Sequence, residues 1–527
     1  MGFAHEYATA IVRRGRYPME PADWVPDWAD RPRKGKHFPA ADSYPLPAGP
    51  VPPETATVER GLHGPRGTGA FTLPLLAGML RDSYGLTGRR LAVQANSDLG
   101  TLPMYTQANW SRGSASGGGL YPVGVHWVSG PGGPLTPGVH YYDTRHHALR
   151  RLLTGDATGQ VRAAVGEPAA GHGQFLLLTV RFWQNAFKYN SFCYHVVTMD
   201  TGALLATWRL WARAHGLDVA PVLWFDEPRL GELLGLDPRE EGVFAVVPLR
   251  WAGDPAPDGG GTGALRVRHR DEERSRRLTV FETVTRMHEA TLDGAADRPA
   301  PEALVPALAE PVPVGGERHR LPAPEPLGAT VRQALRARRS SFGRFQATRP
   351  LTRAQLATLL AAADAAGHLG TDAEPGAGRR PLTRLYVFVN HVAGLAPGAY
   401  LHDRDDGSLR PVKAGPPGDF LQRNYFLANY NLEQAGAVLV PAARTHAVLD
   451  AVGDRGYRLV NAVVGGISQA FYTAASAAGL SCGVALGFDA ISFTEELGLD
   501  RTGEVPLLIM PAGHERPGQA DFHHQIA

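Results

Sequence analysis

The run Arg338-Arg339-Ser340-Ser341-Phe342-Gly343-Arg344-Phe345 stands just before a helix signature, Leu351-Thr352-Arg353-Ala354-Gln355-Leu356. Guanidiniums at Arg338, Arg339 and Arg344, with the Ser340 hydroxyl beside a helix start, can bind a phosphate bidentately and through backbone N–H groups. In isolation such a run is more often a basic surface turn, so its meaning depends on its setting. A second cluster, Ser114-Ala115-Ser116-Gly117-Gly118-Gly119, offers hydroxyls on a backbone with no side-chain bulk. That composition suits a flexible turn or a close cradle for a ligand. Lys188-Tyr189 is a third candidate, which taken alone reads as a lysine snorkelling from an element end. His146-His147 and His523-His524 are adjacent pairs that do not project to one side of a helix as His-x-x-x-His does, so no metal site is expected.

The elements that must position these residues occur twice. Around Tyr194 the chain reads CYHVVTMDTGALLATWRLWARAHGLDVAPVLWFDEPRLGELLGLD, and around Tyr457 it reads GYRLVNAVVGGISQAFYTAASAAGLSCGVALGFDAISFTEELGLD. One offset carries Tyr194 onto Tyr457, Gly202 onto Gly465, Gly216 onto Gly479 and Asp226 onto Asp489. The unit is far longer than a solenoid repeat, which implies a duplicated domain able to pack as an internal pseudo-dimer. Residues 1–70, rich in Pro, Trp and charge, read as an extended arm. The first repeat spans 71–251, a Pro- and Gly-rich linker 252–326, and the second repeat 327–527. Within the linker, Leu278, Phe281, Val284, Met287 and Leu292 are spaced to bury one face of a helix. The helix over Thr201 to Gly216 ends at its glycine. Strands such as Phe175 to Phe182 and Leu385 to Asn390 alternate with helices around an antiparallel or mixed sheet, an α+β class.

Composition excludes several partners. The chain has 527 residues and a net charge of +2, with no electrostatic footprint for nucleic acid, and the basic run Arg266 to Arg277 is interleaved with acids. Two cysteines, Cys193 and Cys482, rule out a disulfide framework. The first residues lack a signal-peptide pattern, so a reducing, cytoplasmic setting is expected. The apolar stretch from Leu459 to Phe488 contains Asn461, Ser468 and Gln469 and reads as a buried helix and strand rather than a membrane span.

Arg338-Arg339-Ser340 followed by the Leu-Thr-x-x-x-Leu helix resembles the flavin-phosphate motif of nitroreductase-fold flavoproteins. That resemblance implies flavin mononucleotide, with the backbone of Gly483 to Phe488, including Leu486 and Gly487, along the flavin ring, and Arg516 at the phosphate. Ser114 to Pro122, Leu135 to Asp143 and Lys188 to His195 look like the SagB-type dehydrogenase branch, which oxidises azolines in thiazole- and oxazole-containing peptides. The arm stretch Lys34 to Pro47 is similar to the family's leader. The family pattern there is Pro-Ser-Gly-Gly-Ala-Leu-Tyr-Pro and Lys-Tyr-x-x-Arg-x-Tyr-Arg, and this chain departs from it at Ala115, Phe192 and His195.

The two repeats have complementary losses. Aligning their opening helices sets Arg338, Arg339 and Ser340 against Val58, Glu59 and Arg60, and the long offset sets Gly487 against Trp224 and Lys188-Tyr189 against Ala451-Val452. Gly118 and Gly119 face Arg379 and Arg380. In the resembled fold a homodimer builds two flavin sites at its interface, so this pseudo-dimer should keep one. The resemblance makes Lys188 and Tyr189 the base pair, with Ser114, Ser116, Gly117 and Gly118 on the same wall, and dioxygen as reoxidant. The partners it implies are a peptide or carrier-bound azoline and a cyclodehydratase complex. A NAD(P)H-dependent nitroreductase or quinone reductase, and a flavin-free scaffold or peptide-recognition subunit, are the alternatives.

Overall fold

The computed structural model describes residues 2–94, 104–105, 109–254, 264–312, 315–341, 343–374, 379–516 and 521–526. His523 lies in the last of these, in a strand described by its backbone alone. The sequence repeat appears as two antiparallel sheets with matching strand order. In the first, Ser43–Pro45, Ala148–Thr154, Gly138–Asp143, Val123–Ser129, Gln174–Arg181 and Glu241–Leu249 lie side by side. In the second, His319–Arg320, Ser408–Ala414, Gly398–Asp403, Thr383–Val389 and Ala437–Ala443 follow the same sequence and are completed by Met510–Gly513 and Ser481–Cys482. The inner strands are buried along their whole length, for example Glu241–Leu249 and Ala437–Ala443. Elements cover both faces, so these strands are continuous apolar runs rather than alternating ones. The fold is mixed α and β, two repeats packed as one body.

The centre of that body is the crossing of two 22-residue helices, Cys193–Ala214 and Gly456–Ala477. Both are apolar nearly all round, as expected of helices buried on every side. They touch through glycine. A Cβ on Gly202 would lie 2.0 Å from the Ala462 carbonyl oxygen, and one on Gly465 would lie 2.0 Å from that of Met199. The offset that relates Gly202 to Gly465 also relates Met199 to Ala462, so the contact is self-complementary about a pseudo-two-fold axis. One step along, the Tyr457 hydroxyl meets His195 Nδ1 at 2.7 Å and Arg458 Nε donates to the Tyr194 hydroxyl at 2.8 Å, the same positions with exchanged residues.

Several boundaries differ from the sequence reading. The arm is not merely extended: it opens with the helix Phe3–Arg13, supplies the edge strand Ser43–Pro45 and ends in the helix Val58–His63. The helix expected from Thr201 begins at Cys193, because Tyr194, Val196 and Val197 continue its buried surface. The linker helix is Glu282–Leu292, so Leu278 precedes it and is 46% exposed, whereas Val284 and Met287 are buried. That helix docks on both repeats through an ionic cluster. Glu227 pairs with Arg455 at 2.9 Å and Arg458 at 2.8 Å, and Arg458 Nη2 meets His288 Nδ1 at 3.0 Å. All four are buried; an unpaired charge there would be strongly destabilising, so each is paired. The C-terminal strand Asp521–Gln525 crosses back to pair with Gly88–Gln94 of the first repeat. Among the described residues no helix is long and apolar enough to cross a membrane.

Candidate functional site

Lys188 and Tyr189 form the last turn of the helix Trp183–Tyr189, which stops because Asn190 adopts a left-handed φ of 41°. Opposite them runs the glycine turn, where Gly118 has a φ of 61°. A Cβ on Gly118 would lie 2.7 Å from the Tyr189 hydroxyl and 3.0 Å from Lys188 Nζ, so only glycine allows both side chains to close on this turn. The turn is anchored beneath by Asp200: its carboxylate accepts from Ser116 Oγ at 2.6 Å and from the Gly117 N–H at 2.8 Å. Burial raises the Asp200 pKa to about 7, with those two hydrogen bonds opposing the shift. Burial also lowers the Lys188 pKa and raises that of Tyr189. Ser114 Oγ donates to Thr207 at 2.9 Å. The Ser114 and Ser116 hydroxyls and the Gly117 N–H are therefore engaged within the first repeat, and Gly118 is the turn's exposed edge.

The second wall carries the arginine run. Arg338 is turned into the interface: Nε donates to the Gly113 carbonyl at 2.8 Å and Nη2 to that of Arg112 at 3.1 Å, with its guanidinium 5.1 Å above the Tyr472 ring. Arg339 pairs with Glu515 at 2.8 Å, and the Glu515 carboxylate also accepts from Ser341 and Ser481. Arg339 holds the Glu515 carboxyl below its ordinary range despite burial. Ser340 Oγ meets the Tyr472 hydroxyl at 2.8 Å, which accepts from the Val484 N–H at 3.1 Å. The Arg516 N–H donates to the Arg344 carbonyl at 3.1 Å, placing these arginines side by side on antiparallel segments; Arg344 Nε is buried without a partner among the described residues.

The two walls meet. The Ala115 N–H donates to Gln469 Oε1 at 2.8 Å and Gln469 Nε2 to the Gly113 carbonyl at 3.2 Å, so the long second-repeat helix holds the first repeat's turn. Beyond it lies the loop at Leu486 and Gly487, half-buried, whose two N–H groups have no acceptor among the described residues. At the pseudo-equivalent place in the first repeat the arrangement is sealed. There the Leu223 and Trp224 N–H groups donate to the Asp372 carboxylate at 2.7 and 3.2 Å, Arg298 pairs with Asp372 at 2.8 Å, and Trp224 is 1% exposed. The Leu486 and Gly487 N–H groups thus lack the carboxylate cap of their first-repeat twins, and the Leu427 side chain lies against Gly487, 3.1 Å from where a Cβ would sit.

One sequence alignment needs correction. The helices Val58–His63 and Val331–Ala337 start at the caps Thr57 and Thr330, which also bridge one another. Arg338, Arg339 and Ser340 therefore face Pro65, Arg66 and Gly67, not Val58, Glu59 and Arg60. The loop before the next helix is longer in the second repeat, which shifts the register between the two helix pairs. Arg14, Asp200, Gln469, Tyr472 and Glu515 were not anticipated. Asp200 had a signal, an acid in an otherwise apolar helix stretch; Arg14 had none, since only tertiary packing brings the arm here.

The profile of the Nitroreductase family matches residues 335–514. A protein of Methanocaldococcus jannaschii named "Putative nitroreductase MJ1384" is 30% identical over 171 residues, 32% of this chain and 82% of that protein. The chain belongs to the nitroreductase family. The crystal structure of a "putative nitroreductase" from Anabaena variabilis superposes with a TM-score of 0.71 at 23% identity, covering 98% of this chain and 100% of that one. Both repeats, arm and linker thus recur as one fold. The E. coli microcin synthetase complex McbBCD with truncated pro-MccB17 bound covers 33% of this chain and 68% of its own at a TM-score of 0.28 and 20% identity, too slight a likeness to argue from.

Proposed function

We propose that this chain is an FMN-dependent dehydrogenase of the SagB type that oxidises a thiazoline or oxazoline, on a peptide or carrier, to the aromatic azole at one composite site. The observation that carries the reading is the asymmetry of the two mouths: the free N–H groups of Leu486 and Gly487 stand on the side where Lys188 and Tyr189 close on Gly118, and their twins are capped by Asp372. The residues fit a flavin. Gly487 carries no side chain where Trp224 fills the space, Arg344 has a buried Nε without a partner among the described residues, and Arg339, Ser340 and Arg516 gather on the same wall. Bound there, flavin would supply the hydride acceptor. The protein's part is to hold the ring by the Leu486–Gly487 backbone, to exclude water, and to take the ring's α-proton, acidified by the adjacent C=N and carbonyl. Lys188, its charged form disfavoured by burial, is the base, and Tyr189 orients the ring or relays the proton. The arm, two repeats and linker divide at about residues 70, 251 and 326 in this scheme, and a cyclodehydratase is the fitting partner.

Extraction of the cofactor should yield one flavin per chain. Two per chain would overturn the single-site reading, and none would turn it toward a scaffold. Incubation with azoline peptides should remove two hydrogens per ring by mass spectrometry, and flavin reduction by NAD(P)H instead would make the chain an ordinary reductase. Replacing Arg338 and Arg339 together with Ala should weaken flavin retention by about 3 kcal/mol, the scale of two charge-assisted hydrogen bonds: Arg339's to the phosphate, and Arg338's to the Gly113 and Arg112 carbonyls, which hold the glycine turn in place. Arg66→Ala, at the corrected first-repeat position, should leave flavin bound; equal loss from that variant, read by fluorescence after dialysis, would mean the repeats have been assigned in reverse.

A further inference from the structure

The arm residue Arg14 follows the helix Phe3–Arg13 and reaches between the two walls. Its guanidinium stacks 4.0 Å above the Phe192 ring and donates through Nη2 to the Leu486 carbonyl. Arg16 pairs with Asp489 at 3.2 Å, so this end of the arm is fastened along the ring loop. The sealed twin shows what the contact replaces. There Arg455, the repeat counterpart of Phe192, donates from Nε to the Leu223 carbonyl at 2.6 Å, and Leu223 is the counterpart of Leu486. The same carbonyl is held by a guanidinium in both places, from the local helix start in one and from the arm in the other.

We infer that Arg14 takes the place of the arginine absent at position 192, fixing the Leu486 loop and presenting a guanidinium beside Tyr189 to a planar oxyanion of the substrate. The two sides are not equivalent in chemistry. Arg455 and its neighbour Arg458 are neutralised by the buried Glu227, whereas Arg14 has no carboxylate partner among the described residues, Asp489 pairing with Arg16 instead. Arg14 is itself lowered to about 10, chiefly by desolvation, yet remains cationic at neutral pH. A retained charge in a water-poor cleft is well placed for oxygen that gains negative character. Resting on the azoline reading, that oxygen is the carbonyl adjoining the ring: when the α-proton passes to Lys188, the electron pair left behind delocalises onto this oxygen beside Arg14, and a flavin held by the Leu486 loop would supply the acceptor for the hydride lost from the β-carbon as the ring C=C forms.

The test compares Arg14→Ala with Arg14→Ala/Phe192→Arg, using benzoate as a planar carboxylate probe in isothermal titration calorimetry and azoline oxidation as the second readout. Arg14→Ala should weaken benzoate at least tenfold and slow oxidation by roughly a hundredfold, the scale of losing one oxyanion donor. Restoring an arginine at 192 should recover most of both. Benzoate affinity unchanged in Arg14→Ala overturns the inference. So does failure of the Phe192→Arg rescue when hydrogen exchange shows residues 3–13 as protected as in the parent, because Arg14 would then serve only to dock the arm. Benzoate binding that follows Arg14 in a protein that oxidises no azoline would keep the anion site and discard the azoline reading.

Discussion

Lys188→Ala and Tyr189→Phe should purify yellow and oxidise azoline at least about a hundredfold more slowly than the parent, the usual cost of a positioned acid–base group. Both side chains approach the glycine turn rather than the arginine wall, so neither removal should release flavin, and dithionite should still reduce both variants. The pH profile adds a sign. Lys188 acts as a base only when neutral, so the rate should rise with pH through its pKa. Burial lowers that pKa, which places the rise below the ordinary lysine range, and the limb should vanish in Lys188→Ala. If the pair instead only ends the helix before Asn190, stability, flavin content and activity would fall in parallel. Full turnover by a folded, yellow double variant would refute the catalytic assignment and direct attention to Tyr194 and His195.

The repeat was legible because the long buried helices and the loops after them retain Tyr194/Tyr457, Gly202/Gly465 and the Gly-Leu-Asp endings in one register. Their burial on all sides leaves few tolerated residues, so the pattern survives where the arm and linker have none. The arginine run and the Leu486–Gly487 loop were singled out by resemblance to a local motif, and the family match at 335–514 spans both segments. What the sequence hid depends on contacts between distant segments. Nothing local tells that Arg338 would turn to the carbonyls of Arg112 and Gly113 or that Glu515 would sit on Arg339. Nor does it tell that Asp372 would cap the counterpart loop. The misregistered opening helices have the same cause: a longer loop between two short helices changes the offset, and only the Thr57–Thr330 bridge reveals it.

Gly202→Ala and Gly465→Ala should each destabilise the protein by at least about 3 kcal/mol, at the upper end for overpacking a core. The added methyl would lie 2.0 Å from a backbone carbonyl oxygen, of Ala462 or Met199, and within 3 Å of further main-chain atoms of the same residues. No rotamer change relieves a clash with main chain, so the helices must move apart. That motion separates the Ala115 N–H from Gln469 Oε1 and Arg338 from the glycine turn, so flavin should be lost below the temperature at which helical signal is lost. Gly231→Ala is the control: it lies in the helix Glu227–Leu234, a Cβ there meets nothing within 4 Å, and helix propensity favours the change by up to about 1 kcal/mol. Because the two glycines meet at one crossing, the double variant should cost less than the sum of the singles, the second methyl entering a gap the first has opened. Denaturant midpoints for either single variant matching the parent would show that the crossing yields, and that the pseudo-two-fold contact does not hold the composite site in register.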